Sequence, residues 1–169
     1  MNLPEIIAAL EKQIQDPKKG LPEEVFLLVS RITPLVNVDL LIQNKSEGTL
    51  LSWRQDGLCP AGWHIPGGII RFKEKIEDRI KAVAKNELGA EVTFDPLPLC
   101  VNEIQVPTRE NRSHFISFLY RCTLVSAPKD TLRFNGISPK VGEWDWHKVS
   151  PSNLIPTHDR LYKPFIENL

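Results

Sequence analysis

The apolar positions divide the chain into a helical start, a run of strands around one central helix, and a helical end. Over residues 4–16, Ile6, Ile7, Leu10 and Ile14 fall near one face at helical spacing, and Pro4 suits a first turn. Pro17, Lys18, Lys19 and Gly20 then interrupt the pattern. A second helix is expected over about 22–31, because a proline and two glutamates open that segment and a helix N-terminus favours both.

From Leu35 the period shortens. Residues 36–44 and 49–55 read as strands joined by a turn at 45–48, and 57–68 as a Gly- and Pro-rich loop with an extended stretch near 63–65. A helix is predicted over about 75–88, where Ile76, Ile80, Ala84 and Leu88 recur every four residues and Gly89 is placed as the stop. Further strands are expected at 97–106 and 114–125, with a polar turn at 108–113 between them. Another is expected at 143–149, and a last helix near 158–167. Strands on both sides of one central helix, with helices at the ends, predict an α+β fold: a mixed β-sheet packed between helices in an α/β/α sandwich. Residues 1–20 are expected to form an N-terminal helical extension and 21–169 the main domain.

Composition narrows the function classes. A chain of 169 residues with 41% hydrophobic and 25% charged positions has enough apolar material for one packed domain. Formal net charge is zero, from 21 basic and 21 acidic residues, whereas non-specific nucleic-acid binding calls for a basic excess. Any phosphate recognition must therefore be local. No apolar run approaches the roughly 20 residues that span a bilayer, and the first residues lack the pattern of a secretory signal. Cys59, Cys100 and Cys122 match neither a zinc nor a disulfide framework, which fits reduced thiols in a cytoplasmic protein.

The candidate chemistry lies in Pro66-Gly67-Gly68 and the helix after it. Glycines let the backbone approach a ligand or ion where a Cβ would collide. In the helix, Val83, Asn86 and Glu87 share a surface, so Glu87 is expected to look back at the glycine turn. Magnesium takes one or two carboxylates and fills its other positions with water and substrate phosphate oxygens.

The spacing resembles the Nudix box, in which a glycine is followed after five residues by Glu, after seven more by Arg-Glu, then by an apolar residue, one residue, Glu-Glu, one residue and Gly. Gly68, Glu74, Ala84, Glu87 and Gly89 fall in register. Ala82 stands in place of the arginine, Val83 of the next glutamate and Asn86 of the first paired glutamate. The pattern is most similar to the GDP-mannose mannosyl hydrolases, which carry a thinned box. Residues 32–39 (ITPLVNVD) look like that family's entry to its first strand, and 62–68 (GWHIPGG) like its stretch before the glycine pair.

The resemblance implies a Nudix fold, Mg2+ or Mn2+ as cofactor, a small nucleoside diphosphate derivative such as GDP-mannose as substrate, and a homodimer. It implies metal ligation by the Gly67 carbonyl and by Glu87, a structural role for Glu74, and sugar-nucleotide contact by Arg54. The family's Gln-His pair, its third ligand and general base, falls on Lys140 and Val141, and neither residue does that chemistry. Glu143, two residues on, is the substitute candidate as catalytic group. Gly68, Arg109 and Arg112 are candidates for substrate binding. Glu103, His114, Trp63, Phe115, His158 and Arg160 are weaker candidates, each as readily structural. The reading that follows is a Mg2+-dependent hydrolase of a nucleotide sugar. The alternative is a catalytically impaired module that binds a nucleotide or a protein, which the loss of charge at Ala82 and Val83 favours.

Overall fold

The apolar run that begins at Leu35 becomes the central strand, β1 (Leu35–Asn44), in a computed structural model that describes residues 2–168. One edge of β1 pairs in parallel with β7 (His114–Leu124) from Leu35↔Phe115 to Ile42↔Cys122. The other edge is shared. Its first half pairs antiparallel with β4 (Gly67–Ile69), and its end with β2 (Gly48–Arg54) at Gln43↔Thr49 and Asn44↔Gly48. β2 then departs from β1 and builds its own ladder with β3 (Gly62–His64) and β8 (Trp144–His147). Ile65 and Pro66 carry the chain from that ladder to the β1 edge, where the Pro66 carbonyl accepts a hydrogen bond from the Leu40 amide at 2.8 Å. A wedge opens between the two ladders. β5 (Val92–Phe94) and β6 (Cys100–Gln105) complete the mixed sheet on β7.

Alternate residues of a strand face opposite sides. Val38, Leu40, Ile42 and Leu50 form one core with Ile80 and Val83 of α3 (Ile76–Val83) and with Ala84 and Leu88 just beyond it. Leu41, Leu51, Trp63, Ile65 and Leu119 form the other core with Tyr162 and Ile166 of α4 (Pro156–Glu167). The α/β/α layering is thus the one predicted, and burial on both faces explains why Leu40, Leu41 and Ile42 of β1 are apolar in succession. Cys122 is buried in the first core, which pushes its thiol up to about 12; all three cysteines are free.

Several boundaries move. α1 (Leu3–Glu11) ends five residues before the predicted limit of 16. A reciprocal cap between Asn2 and Glu5 starts it, but no residue of α1 is buried, so nothing beyond local propensity extends it. α2 (Glu23–Ile32) is held by its buried Val25 and by the Ser30 hydroxyl, which accepts from the Arg112 amide at 3.1 Å. The predicted 75–88 helix is α-helical to Val83 and continues as a wider π-helical turn over Ala84–Leu88, closed by Gly89 at φ 62°. β4 and β5, three residues each, show no legible periodicity and lie outside the predicted strands. Among the described residues no helix is long and apolar enough to cross a membrane.

Candidate functional site

The glycine pair serves two faces at once. A Cβ at Gly67 would lie 2.2 Å from Asp39 Oδ1 and 2.9 Å from the Val38 carbonyl. A Cβ at Gly68 would lie 2.7 Å from Val83 Cγ2 and 3.3 Å from Arg79 Cδ, on the α3 side. Without side chains, β4 is pressed between the β1 carboxylate and the helix. Glu87, on the wide turn after α3, reaches back to this bend: its Oε1 accepts from the Gly67 amide at 3.2 Å, with the side chain 27% exposed. Burial pushes the Glu87 carboxyl up to about 8, and the nearby Asp39 charge adds to the rise. Among the described residues no lysine or arginine lies within ion-pair distance of it; His64 stands at 4.0 Å, and Asp39 and Arg54 act on it from farther away.

His64 and His158 are fixed by the backbone of Ile65. The Ile65 carbonyl can only accept, so the 2.7 Å contact from His64 Nδ1 places the ring proton on that nitrogen and leaves Nε2 with its lone pair towards Glu87. The Ile65 amide can only donate, so His158 Nδ1 accepts at 3.0 Å and its Nε2 carries the proton. Burial, with charge from neighbouring groups, holds both imidazoles down at about 3, so both are neutral at pH 7. Asp39, 3% exposed, accepts from Ser117 at 2.5 Å, Tyr162 at 2.6 Å and Asn37 at 3.2 Å. Burial raises its carboxyl even against those bonds, and burial and the same carboxylate raise the Tyr162 hydroxyl.

Glu74 sits one step from the glycine turn and clamps it. Its carboxylate accepts from the Arg71 amide at 2.8 Å, and from Arg79 Nε at 2.9 Å and Nη2 at 2.7 and 2.8 Å. Arg79 lies one helical turn before Ala82, on the same face, and supplies the guanidinium that position 82 lacks.

Beside this group opens a cavity of about 620 Å³, bounded by β1, β4, β6, the start of α4 and, on its outer side, α2. Arg54, Arg109 and Arg112 line it together with Phe26, Phe115 and His158. Both Arg54 nitrogens, Nε and Nη2, bond Asp56, and Arg112 approaches the same carboxylate at 3.8 Å. Although burial works against it, those bonds and one from the Leu58 amide hold Asp56 below its usual range.

The structure therefore brings Gly67, Gly68, Glu87 and Glu74 into one group and Arg54, Arg109 and Arg112 into the adjoining wall. It does not bring Glu143 there. Its carboxylate accepts from the Lys140 amide at 2.8 Å, closing the turn before β8, and makes no contact with the glycine bend. Glu87 meets the bend through the Gly67 amide, where the resemblance implies the carbonyl as metal ligand. Trp63 packs edge-on against Trp53 and Phe134 in the core, and His114 pairs with Glu103 at the surface. His64, Arg79, Asp39 and Tyr162 were not singled out by the sequence. The one signal available was that Arg79 repeats the expected arginine at helical spacing. Among the described residues no three His, Cys, Asp or Glu side chains stand close enough together to hold a metal ion by themselves.

A mixed sheet between α3 and α4, with a glycine turn, a clamped loop and a helix-borne carboxylate, belongs to the α/β/α sandwiches, and comparison with solved structures specifies which. The MutT protein from Methanosarcina mazei Go1 superposes with a TM-score of 0.59 at 17% identity, covering 80% of this chain and 94% of that one. UDP-X diphosphatase superposes with a TM-score of 0.56 at 18% identity, covering 98% and 88%. The chain has the Nudix fold. No family profile matches it. In sequence it is 32% identical over 89 residues to the low-salt glycan biosynthesis protein Agl8 of Haloferax volcanii. The match covers 53% of this chain and 56% of that protein, about half the length of each.

Proposed function

We propose that the chain is a divalent-cation-dependent hydrolase of the Nudix type that acts on a nucleoside diphosphate linked to another moiety, with nucleotide sugars such as GDP-mannose as the preferred class. The observation that carries this reading is the Glu87 carboxylate, bonded to the amide of Gly67, which together with Gly68 and His64 lines a cavity whose wall holds three arginines. A partly buried carboxylate with no lysine or arginine partner fits a cation, and Mg2+ needs little more from the protein when water and phosphate oxygens complete its shell. Glu87 would hold it, with the Gly67 carbonyl as the resemblance implies. When bound, the cation neutralises charge developing on the leaving diphosphate.

The chain's own residues do the rest. Arg54, Arg109 and Arg112 draw the diphosphate to the cavity wall, where planar guanidinium groups bind phosphate oxygens in pairs. Phe26 and Phe115 offer apolar faces to the base or to the linked group. The name of the Haloferax volcanii relative, a glycan biosynthesis protein, supports a sugar-linked substrate. In the same reading residues 1–20 form an extension to a domain at 21–169. The exposed Leu3, Ile6 and Ile7 of α1 supply a face for a homodimer, which sedimentation of the purified chain tests.

A binding module remains a second reading. It is favoured by the absence of any three-residue ligand group among the described residues. Incubating the protein with a panel of nucleotide sugars and dinucleotides, with and without Mg2+, separates the two. Metal-dependent release of a nucleoside diphosphate or monophosphate, lost in Glu87→Gln, supports the hydrolase. Ligand-induced thermal stabilisation without turnover of any compound supports the module.

A further inference from the structure

We propose that His64 is a nitrogen ligand to the cation at Glu87, so that the site prefers a first-row transition ion to Mg2+. The inference rests on the reading that a cation binds at Glu87, and it names which kind. Three features of the structure carry it.

The first is placement. His64 Nε2 and Glu87 Oε2 stand 4.0 Å apart, and an ion bonded to both at about 2.0–2.2 Å at ordinary ligand angles would draw them to roughly 3.0–3.5 Å, a closure of under about 1 Å. The second is the tautomer. A metal-binding imidazole needs one bare nitrogen, and its other N–H is usually donated to a carboxylate or a backbone carbonyl, which fixes the ring. His64 donates Nδ1–H to the Ile65 carbonyl at 2.7 Å, leaving Nε2 bare on the Glu87 side. His158 is wired the other way and presents an N–H from Nε2, so it cannot be the ligand in its place.

The third is an unsatisfied hydroxyl. Ser52 is the cross-strand partner of His64, so the two side chains stand on the same face of the β2–β3 ladder. Ser52 is 1% exposed, and its Oγ lies beside the Glu87 carboxylate, which it helps to hold ionised, without reaching full hydrogen-bond geometry to any group. Buried polar atoms without a full partner are uncommon, and this one shares a face with His64 and stands beside Glu87. A water bound to the ion would satisfy it.

Donor type then decides the ion. Magnesium takes oxygen ligands, whereas an imidazole nitrogen favours the later first-row ions, with affinity rising from Mn2+ through Co2+, so Co2+ gains most from His64. The glycine turn, the carboxylate and the resemblance would all be equally content with Mg2+; the imidazole is the discriminating group.

The test uses the full chain with Mn2+, Co2+ or Mg2+ alone and with added inorganic pyrophosphate. Pulsed EPR of bound Mn2+ is expected to show the coupling of a directly bonded imidazole nitrogen, a measurement that needs no variant. Calorimetry is expected to show Co2+ binding at least tenfold tighter than Mg2+, with that ratio reduced at least fivefold in His64→Gln. Mn2+ that binds and is lost in Glu87→Gln, yet shows no nitrogen coupling, overturns the inference and leaves the proposed hydrolase standing. A Co2+ to Mg2+ ratio unchanged by His64→Gln does the same. Absence of binding by all three ions, with and without pyrophosphate, removes both the ligand and the cation-dependent reading.

Discussion

Removing the Arg79 guanidinium is predicted to be among the most damaging single changes near the glycine turn. Arg79 makes three contacts of 2.7–2.9 Å with Glu74, and the two side chains are 8% and 16% exposed. In Arg79→Ala the Glu74 carboxylate would keep only the Arg71 amide as a partner and would stay largely shielded from water. Breaking a buried pair by deleting one member costs about 3–5 kcal/mol. Because Glu74 retains some exposure, the lower end, about 3 kcal/mol, is expected. For a chain of this size that is a fall in Tm of roughly 6–12 °C. Urea unfolding of the wild type, Arg79→Ala, Glu74→Ala and the double variant gives the coupling directly, and about 2 kcal/mol is expected. If Arg79 stands in for the arginine missing at Ala82, then Arg79→Ala combined with Ala82→Arg should recover part of the loss. A coupling under about 0.5 kcal/mol would show that the pair is no clamp and would refute the reasoning.

Two further outcomes follow from measured distances and burial. Gly67→Ala should destabilise more than Gly68→Ala, by about 3 against about 1–2 kcal/mol, because the first Cβ meets a carboxylate held by three hydrogen bonds and a backbone carbonyl, the second a valine methyl and a flexible arginine stem. Equal or reversed costs in urea unfolding would contradict this. For His158, buried and held down at about 3, the unfolded chain binds the extra proton between its ordinary value near 6.5 and about 3, so stability falls as pH drops through that window. At pH 4.5 the loss is on the order of 3 kcal/mol from this residue, and His158→Gln should show a shallower acid slope; an identical slope would place the proton elsewhere.

The layers were legible because their signals are long. β1 and β7 carry ten and eleven residues of extended pattern, and the stripe Ile76, Ile80, Ala84, Leu88 specifies which side of the middle helix is buried. β4 and β5 were not, since three residues leave no period to detect and their place is settled by partners far along the chain. The same division runs through the site. Glu87 and the glycine pair belong to one local motif whose spacing is visible along the chain. His64, Asp39, Tyr162 and His158 meet only because α4 packs beneath the wedge between two ladders, and Asp39 and Tyr162 lie 123 positions apart. Glu143 failed for the converse reason: counting back from Trp146 gives a position in sequence, but the turn before β8 consumes the carboxylate in its own hydrogen bond.

The thinned box separates two jobs that its charged positions combine elsewhere. Holding the loop to the helix is done here by Arg79, one turn before the vacant arginine position, so Ala82 costs the fold little. Val83, where the resemblance places a glutamate, packs against the bare face of Gly68, and a carboxylate there would have to displace the contact that seats β4 on α3. That leaves Glu87 as the acidic box residue at the bend, with positive charge in the arginines of the cavity wall and a neutral imidazole beside it. Attack at phosphorus, assisted by several cations held in a carboxylate cluster, is poorly served by such a site. Departure of an intact diphosphate from a sugar carbon demands less of it: one cation and several guanidinium groups suffice to stabilise the leaving group. On the proposed reading, such a site would favour chemistry at the linked moiety over attack at phosphorus.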